Sequence, residues 1–244
     1  MTTDLHTTRV DSDVDRGAYR DARTAFIGTD NYAGGVELGK CAAALSPDGG
    51  KYATFVGLTG AQNAIDRIRG VADGAGPRFE SLDSLGDEFD PSRARENVRN
   101  AIRNHPELNF LVGIYAYNAP AIADVVTEIG RRKDFTIVTF DAEAAAIEHM
   151  AKGNIDAMVV QDPFQMGYQG VRLLRALVED DQKVIGEMLP RLGETDGDIF
   201  NTGLKVVVPD AASPIKPAIF SKQTQFMTLQ ELKDWMARYK LTDT

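Results

Sequence analysis

Residues 25–39 read AFIGTDNYAGGVELG. A short apolar run stops at Gly28-Thr29-Asp30-Asn31, and an amphipathic segment begins at once. An apolar run of strand length, a polar turn and an immediate helix form the first half of a βαβ unit. The same punctuation recurs along the chain. Strand-length apolar runs lie at 24–27, 52–56, 110–114, 135–140 and 157–160. Between them are longer stretches with apolar residues at helical spacing, as in Val98 and Ile102, and Ile65, Ile68 and Ala72. Short apolar strands alternating with amphipathic helices predict an α/β fold with a parallel sheet. Helix starts are also marked. Asp90-Pro91-Ser92 sets a cap before a proline at the first helical position, and Asn118-Ala119-Pro120 resembles it.

Composition narrows the function classes. The chain has 244 residues, 43% hydrophobic and 26% charged, with a net charge of −9. That is enough sequence for one large domain or two lobes, each with a core. An acidic balance argues against nucleic acid as a partner, because phosphate binding needs clustered Lys and Arg. Cys41 is the single cysteine, which excludes an internal disulfide framework and a Cys-based zinc site. No run approaches the roughly 18 apolar residues of a membrane helix, so no direct membrane insertion is expected. The opening MTTDLHTTRVDSDVDRG carries no apolar core of a signal peptide. Two regions break the rhythm. Residues 193–201, GETDGDIFN, read as an acidic loop, and 209–225, with three prolines, read as an extended crossing segment. Residues 228–239 read as a final amphipathic helix with Leu229, Leu232, Trp235 and Met236 on one face.

Ligands of parallel α/β sheets bind outside the carboxyl ends of the strands. Just past those ends stand Asp30-Asn31, Gly57, the group Tyr115-Ala116-Tyr117-Asn118, Asp141 and Gln161. Asp30-Asn31 serves first as a helix cap. Asp141 closes FTIVTFD, a run apolar enough to be buried, where a carboxylate is costly unless something donates to it. Carboxylates and amides bond to vicinal hydroxyls, arginine offers a fixed fork of donors, and aromatic faces cover the C–H faces of a sugar ring. The set suits a neutral polyol. No HExxH, GxSxG, P-loop or GxGxxG is present, and His6, His105 and His149 share no ligand spacing, so neither an enzyme nor a metal or organic cofactor is expected.

The segments GTDNYAGGVELG, GLTGAQNAIDRIRG, FDPSRARENVRNAIRNHPELNFLVGIYAYNAPAI and IVTFDAEAAAIEHMAKGNIDAMVVQDPFQMGYQGV, in that order, resemble type I periplasmic sugar-binding proteins of ABC transporters, of the ribose-binding kind. The resemblance runs from about Asp11 to Val208. It implies two similar lobes with a monosaccharide closed between them, a periplasmic or extracytoplasmic location, and a membrane permease as partner. Carried over residue by residue, it assigns ligand contacts to Asp11, Arg67, Phe89, Asp141 and Gln161. For the family's asparagine, ungapped counting gives Tyr115 and a short shift gives Asn118, with Tyr115 then lining the site. Ser12 and Ile65 stand where relatives carry arginine, which leaves pentose, hexose or a related polyol open. By the same resemblance, residues 1–25 are a remnant of the first lobe and a crossing, 26–161 a complete second lobe, 162–202 a first-lobe helix and loop, and 203–244 a crossing strand, extended segment and terminal helix. Most of the first lobe is then expected to be missing, this chain alone to bind sugar weakly or not at all, and the helix at 163–177 to leave an apolar face that self-associates or docks on a partner. The same fold also serves as the effector domain of lac-type repressors and as sugar receptors in chemotaxis or quorum sensing, so both stay open beside transport.

Overall fold

A computed structural model describes residues 10–11 and 23–242; Ser12 and His6 lie outside the described residues. In chain order the elements are β1 (Val10–Asp11), β2 (Ala25–Gly28), α1 (Asn31–Leu45), β3 (Gly50–Val56), α2 (Gln62–Ala75), β4 (Phe79–Gly86), α3 (Pro91–Asn104) and β5 (Phe110–Gly113). There follow α4 (Asn118–Glu128), β6 (Thr136–Phe140), α5 (Ala144–Ala151), β7 (Ala157–Val160), α6 (Pro163–Val178) and α7 (Gln182–Met188). The chain ends with β8 (Ile199–Asn201), β9 (Leu204–Val208), β10 (Thr224–Thr228) and α8 (Leu229–Tyr239). Among the described residues no helix is long and apolar enough to cross a membrane.

Two compact units divide the chain, one of Met1–Asp30 and Asp162–Gly203, the other of Asn31–Gln161 and Leu204–Thr244. The larger unit is built on a sheet of order β10-β9-β7-β6-β5-β3-β4, parallel throughout except where β7 meets β9. Both faces are covered, as a parallel sheet requires. Alternate residues of each strand therefore enter opposite cores: Ile137 joins Val98, Ile122, Met150 and Leu232, whereas Val138 and Phe140 join Leu38 and Val71. On the second face, α1 and α2 touch through glycine. A Cβ at Gly35 would lie 2.2 Å from the Arg67 carbonyl oxygen, so only glycine permits this approach.

Asp90 caps α3 as expected, accepting from the Ser92 and Arg93 amides. The Asn118 side chain does not cap α4; its Oδ1 turns back to the Tyr115 amide at 3.0 Å.

The smaller unit pairs β1, β2 and β8 in parallel and packs them on α6 and α7 through Ala25, Ile27, Leu173, Ile185 and Met188. Arg23 reaches Asp198 at 2.9 Å across this unit.

Three expectations need correction. The strand at 25–28 does not open the larger unit: Phe26 pairs with Asp11 and Ile199, both in the smaller one. An apolar tetrapeptide carries no mark of which distant strand it will bond to. Second, 193–201 is not all loop, since β8 occupies its end and completes that sheet. Third, the segment from Leu204 onward is integral to the larger unit. Within it, β9 and β10 extend the sheet, and α8 starts with a capping box of Thr228 and Glu231. The stretch between is tied down as well. Glu37, buried on α1, accepts from the Ser221 amide at 2.9 Å and the Thr224 hydroxyl at 3.0 Å, and Phe220 stacks on Phe226.

Candidate ligand-binding site

The carboxyl ends of β6, β7, β5 and β3 lie side by side in the larger unit, which brings sequence-distant side chains together. Asp141 follows β6 with φ 62°, a left-handed conformation that costs a non-glycine residue on the order of 1 kcal/mol or more. Its amide donates to the Val159 carbonyl at 2.8 Å, which locks the turn to the neighbouring strand. The residue is buried, 7% exposed. Gln161, at the end of β7, donates through Nε2 to both carboxylate oxygens, at 3.0 and 3.2 Å. Burial raises the Asp141 pKa above the ordinary carboxylate value, and the nearby Arg67 charge and the Gln161 bonds offset part of that rise. Gln161 Oε1 is buried and has no hydrogen-bond partner among the described residues. An unmet acceptor of this kind costs about 1–3 kcal/mol until a donor arrives.

Arg67 comes from α2 and is almost wholly buried. Its Nε donates to Asn31 Oδ1 at 2.9 Å and its Nη1 to the Ile114 carbonyl at 3.0 Å. Nη1 also stands 4.0 Å from Asp141 Oδ2. The guanidinium lies 4.3 Å from the Phe140 ring centroid and 5.8 Å from that of Tyr115, so one plane of the fork is packed on aromatic rings. Asn31 thus does more than begin a helix. Its side chain aims the arginine, because Gly35 lets α1 sit close to α2.

Beside these polar groups stand three rings. Phe89 is 56% exposed and parallel to Tyr115, with centroids 6.0 Å apart and planes 4° from coplanar. Tyr117 is tilted against both. The Tyr115 hydroxyl donates to Asn63 Oδ1 at 3.0 Å. A Cβ at Gly57 would meet the Phe89 ring at 2.6 Å and the Tyr115 ring at 2.9 Å, so that glycine makes room for the pair. Asp87 is fully buried beneath them, bonded to the Phe89 amide, the Tyr117 hydroxyl and the Asn118 amide group. Burial first, and then the bond to Asp87, hold the Tyr117 ionisation well above that of an ordinary tyrosine.

The structure therefore brings together Arg67, Phe89, Tyr115, Asp141 and Gln161. Asn118 is the exception. It is completely buried, with its oxygen on the Tyr115 amide and its nitrogen on Asp87, so its side chain supports the rings from behind. Asp11 lies on β1 of the smaller unit, and its side chain is outside the described residues. Ile65 is a solvent-facing residue of α2. Sequence reasoning missed Asp87 altogether. The one signal was a carboxylate directly after the strand-end glycine in LGDEF. Among the described residues no cluster of histidine, cysteine or carboxylates could hold a metal ion.

A doubly covered parallel sheet with hydrogen-bonding groups and aromatic faces at its carboxyl ends is the framework of a small-molecule-binding α/β protein. Comparison with known families makes this more specific. The periplasmic binding protein domain family matches residues 8–182, and the chain belongs to it. It is 23% identical over 172 residues to the ribose import binding protein RbsB of Salmonella typhimurium, which covers 69% of this chain and 57% of that protein. Against RbsB of Escherichia coli K12 it is 25% identical over 161 residues, 65% of this chain and 53% of that one. The chain thus spans under two thirds of the length of these curated relatives. Among solved structures, the glucose-galactose binding protein GanP from Geobacillus stearothermophilus superposes with a TM-score of 0.72 and 27% identity, covering 82% of this chain and 67% of GanP. An ABC transporter solute-binding protein from Burkholderia graminis, in complex with D-arabinose, gives 0.68 and 26%, covering 81% and 65%.

Proposed function

We propose that the chain is the solute-binding component of a sugar importer and holds a neutral monosaccharide without altering it. Arg67, Asp141 and Gln161 bond to ring hydroxyls, Phe89 covers an apolar face of the sugar, and Tyr115 lines the site beside it. The observation that carries this reading is the buried Asp141–Gln161 pair with one acceptor, Gln161 Oε1, unmet among the described residues. A hydroxyl is both donor and acceptor, so one sugar hydroxyl pair can satisfy the glutamine oxygen and a carboxylate lone pair together. The arginine and aspartate charges balance each other, which favours an uncharged ligand over an anion. Family membership supports the binding role, and the sugars of the relatives, ribose among them, support a sugar. The working location is extracytoplasmic, with delivery to a membrane permease. Calorimetric titration with a panel of pentoses and hexoses tests the proposal. Saturable binding of one neutral sugar, even at low affinity, is expected; binding of none, or tighter binding of a sugar acid, overturns it.

A further inference from the structure

The turn that follows β4 carries the most exposed ring of the site on a backbone that does not favour it. Glu88 and Phe89 are both left-handed, with φ of 55° and 62°. The Phe89 ring is more than half exposed, so its own burial does not hold it there. Asp87 supplies the missing constraint. Its Oδ1 accepts from the Phe89 amide at 2.9 Å and from the Tyr117 hydroxyl, and its Oδ2 accepts from Asn118 Nδ2 at 2.9 Å. Asn118 Oδ1 then accepts from the Tyr115 amide at 3.0 Å. All three rings are thereby tied to one carboxylate, Phe89 by its backbone, Tyr117 by its hydroxyl and Tyr115 through one intermediate amide.

We infer that Asp87 is the positioning residue of the aromatic surface, setting the height and angle of Phe89 and Tyr115 for the ligand without touching it. The inference rests on the functional reading above, in which Phe89 covers the sugar. An aspartate that only shapes a turn would need one oxygen on the Phe89 amide. The bonds to Tyr117 and Asn118 reach 30 and 31 residues along the chain and have no part in the turn. Residue type matters too. The Phe89 amide and Asn118 Nδ2 can only donate, and Asn118 is committed to this orientation because its oxygen serves the Tyr115 amide. A residue with an acceptor at both ends is required, which aspartate meets and asparagine does not. The turn's own path is secured separately by the Asp87 and Glu88 amides on the Val56 and Gly57 carbonyls, at 3.0 and 2.8 Å. Losing the carboxylate should therefore loosen the rings and leave the sheet intact.

The test compares Asp87→Asn and Tyr117→Phe with the parent in the full chain. Far-UV circular dichroism confirms folding, amide hydrogen exchange is read at Phe89 and Tyr115, and calorimetry uses the best sugar of the panel. In Asp87→Asn, exchange at the Phe89 amide should quicken about tenfold or more, as for loss of a charge-assisted bond. Affinity should fall about tenfold or more, and the loss should shrink to within about threefold in a Phe89→Ala background, since both changes disable one surface. Tyr117→Phe should show the same pattern more weakly. Unchanged exchange at Phe89 in the folded variant overturns the inference, as do fully additive losses of affinity. If the parent binds no sugar, the functional reading has failed, and exchange in the unliganded chain still decides the role of Asp87.

Discussion

Removing the Asp141 carboxylate separates binding from packing at this site. Asparagine tolerates the left-handed φ of 62° and keeps an acceptor for Gln161 Nε2, so Asp141→Asn changes charge more than shape. Alanine removes the acceptor as well. Two groups feel the loss. A ligand hydroxyl gives up a charge-assisted bond, and Arg67, with Nη1 4.0 Å from Oδ2, loses its counter-ion. Truncating one member of a buried hydrogen-bonded charge pair costs about 2–5 kcal/mol of binding. Here the arginine keeps Asn31 and the Ile114 carbonyl, which places the expectation at about 2–4 kcal/mol for alanine, or roughly 30- to 700-fold in Kd. Asparagine should cost about half as much, because one acceptor survives. Isothermal titration of the best sugar into the parent and both variants measures the series. An alanine variant with parental affinity would refute the assignment of Asp141 to the ligand. Equal losses for asparagine and alanine would refute the division between charge and shape.

Stability should respond to pH through the same residue. Burial raises the Asp141 pKa in the folded chain, so between the unfolded value near 4 and the folded one the native state holds a proton that the unfolded chain has released. Stability must therefore fall as pH rises through that window and stay lower above it; this component should vanish from the melting-temperature profile of Asp141→Asn, and an identical profile would contradict it. Gly35→Ala should force α1 away from the Arg67 carbonyl, lowering stability in urea by about 1–3 kcal/mol and weakening sugar binding, and a fully stable, binding-competent variant would show that the close approach is dispensable. On α6 of the smaller unit, Phe164, Tyr168, Val171 and Val178 are exposed to solvent, and an apolar stripe of this kind favours association. Multi-angle light scattering should show concentration-dependent self-association that Val171→Lys reduces, whereas a strictly monomeric parent would end that expectation.

Much of the larger unit was legible from local chemistry. A strand buried on both faces must be a continuous apolar run, so β3, β5, β6 and β7 announced themselves, and the proline-marked start of α3 needed nothing beyond Asp90. The edge strand β4 did not: FESLDSLG is polar because it has a neighbour on one side only and faces water, so it lacks the apolar signature. Asp141 and Gln161 were readable because a polar residue ending a buried strand must meet a partner, and adjacent parallel strands make them each other's partner.

What the sequence determined by itself was the period of the elements and the residue types at their ends, since both follow from the geometry of single helices and strands. Tertiary structure decided the rest. Whether 25–28 joined one sheet or the other depended on backbone bonds to Asp11 and Ile199, which no local pattern encodes. Asn118 looked like a cap or a ligand contact, yet its surroundings place both ends of its amide on protein groups. Asp87 went unnoticed in the sequence because the hydroxyl and amide that converge on it come from a segment some thirty residues away. Hydrogen-bonding capacity is written in the residue, and the partner that fills it is fixed only when the chain has folded.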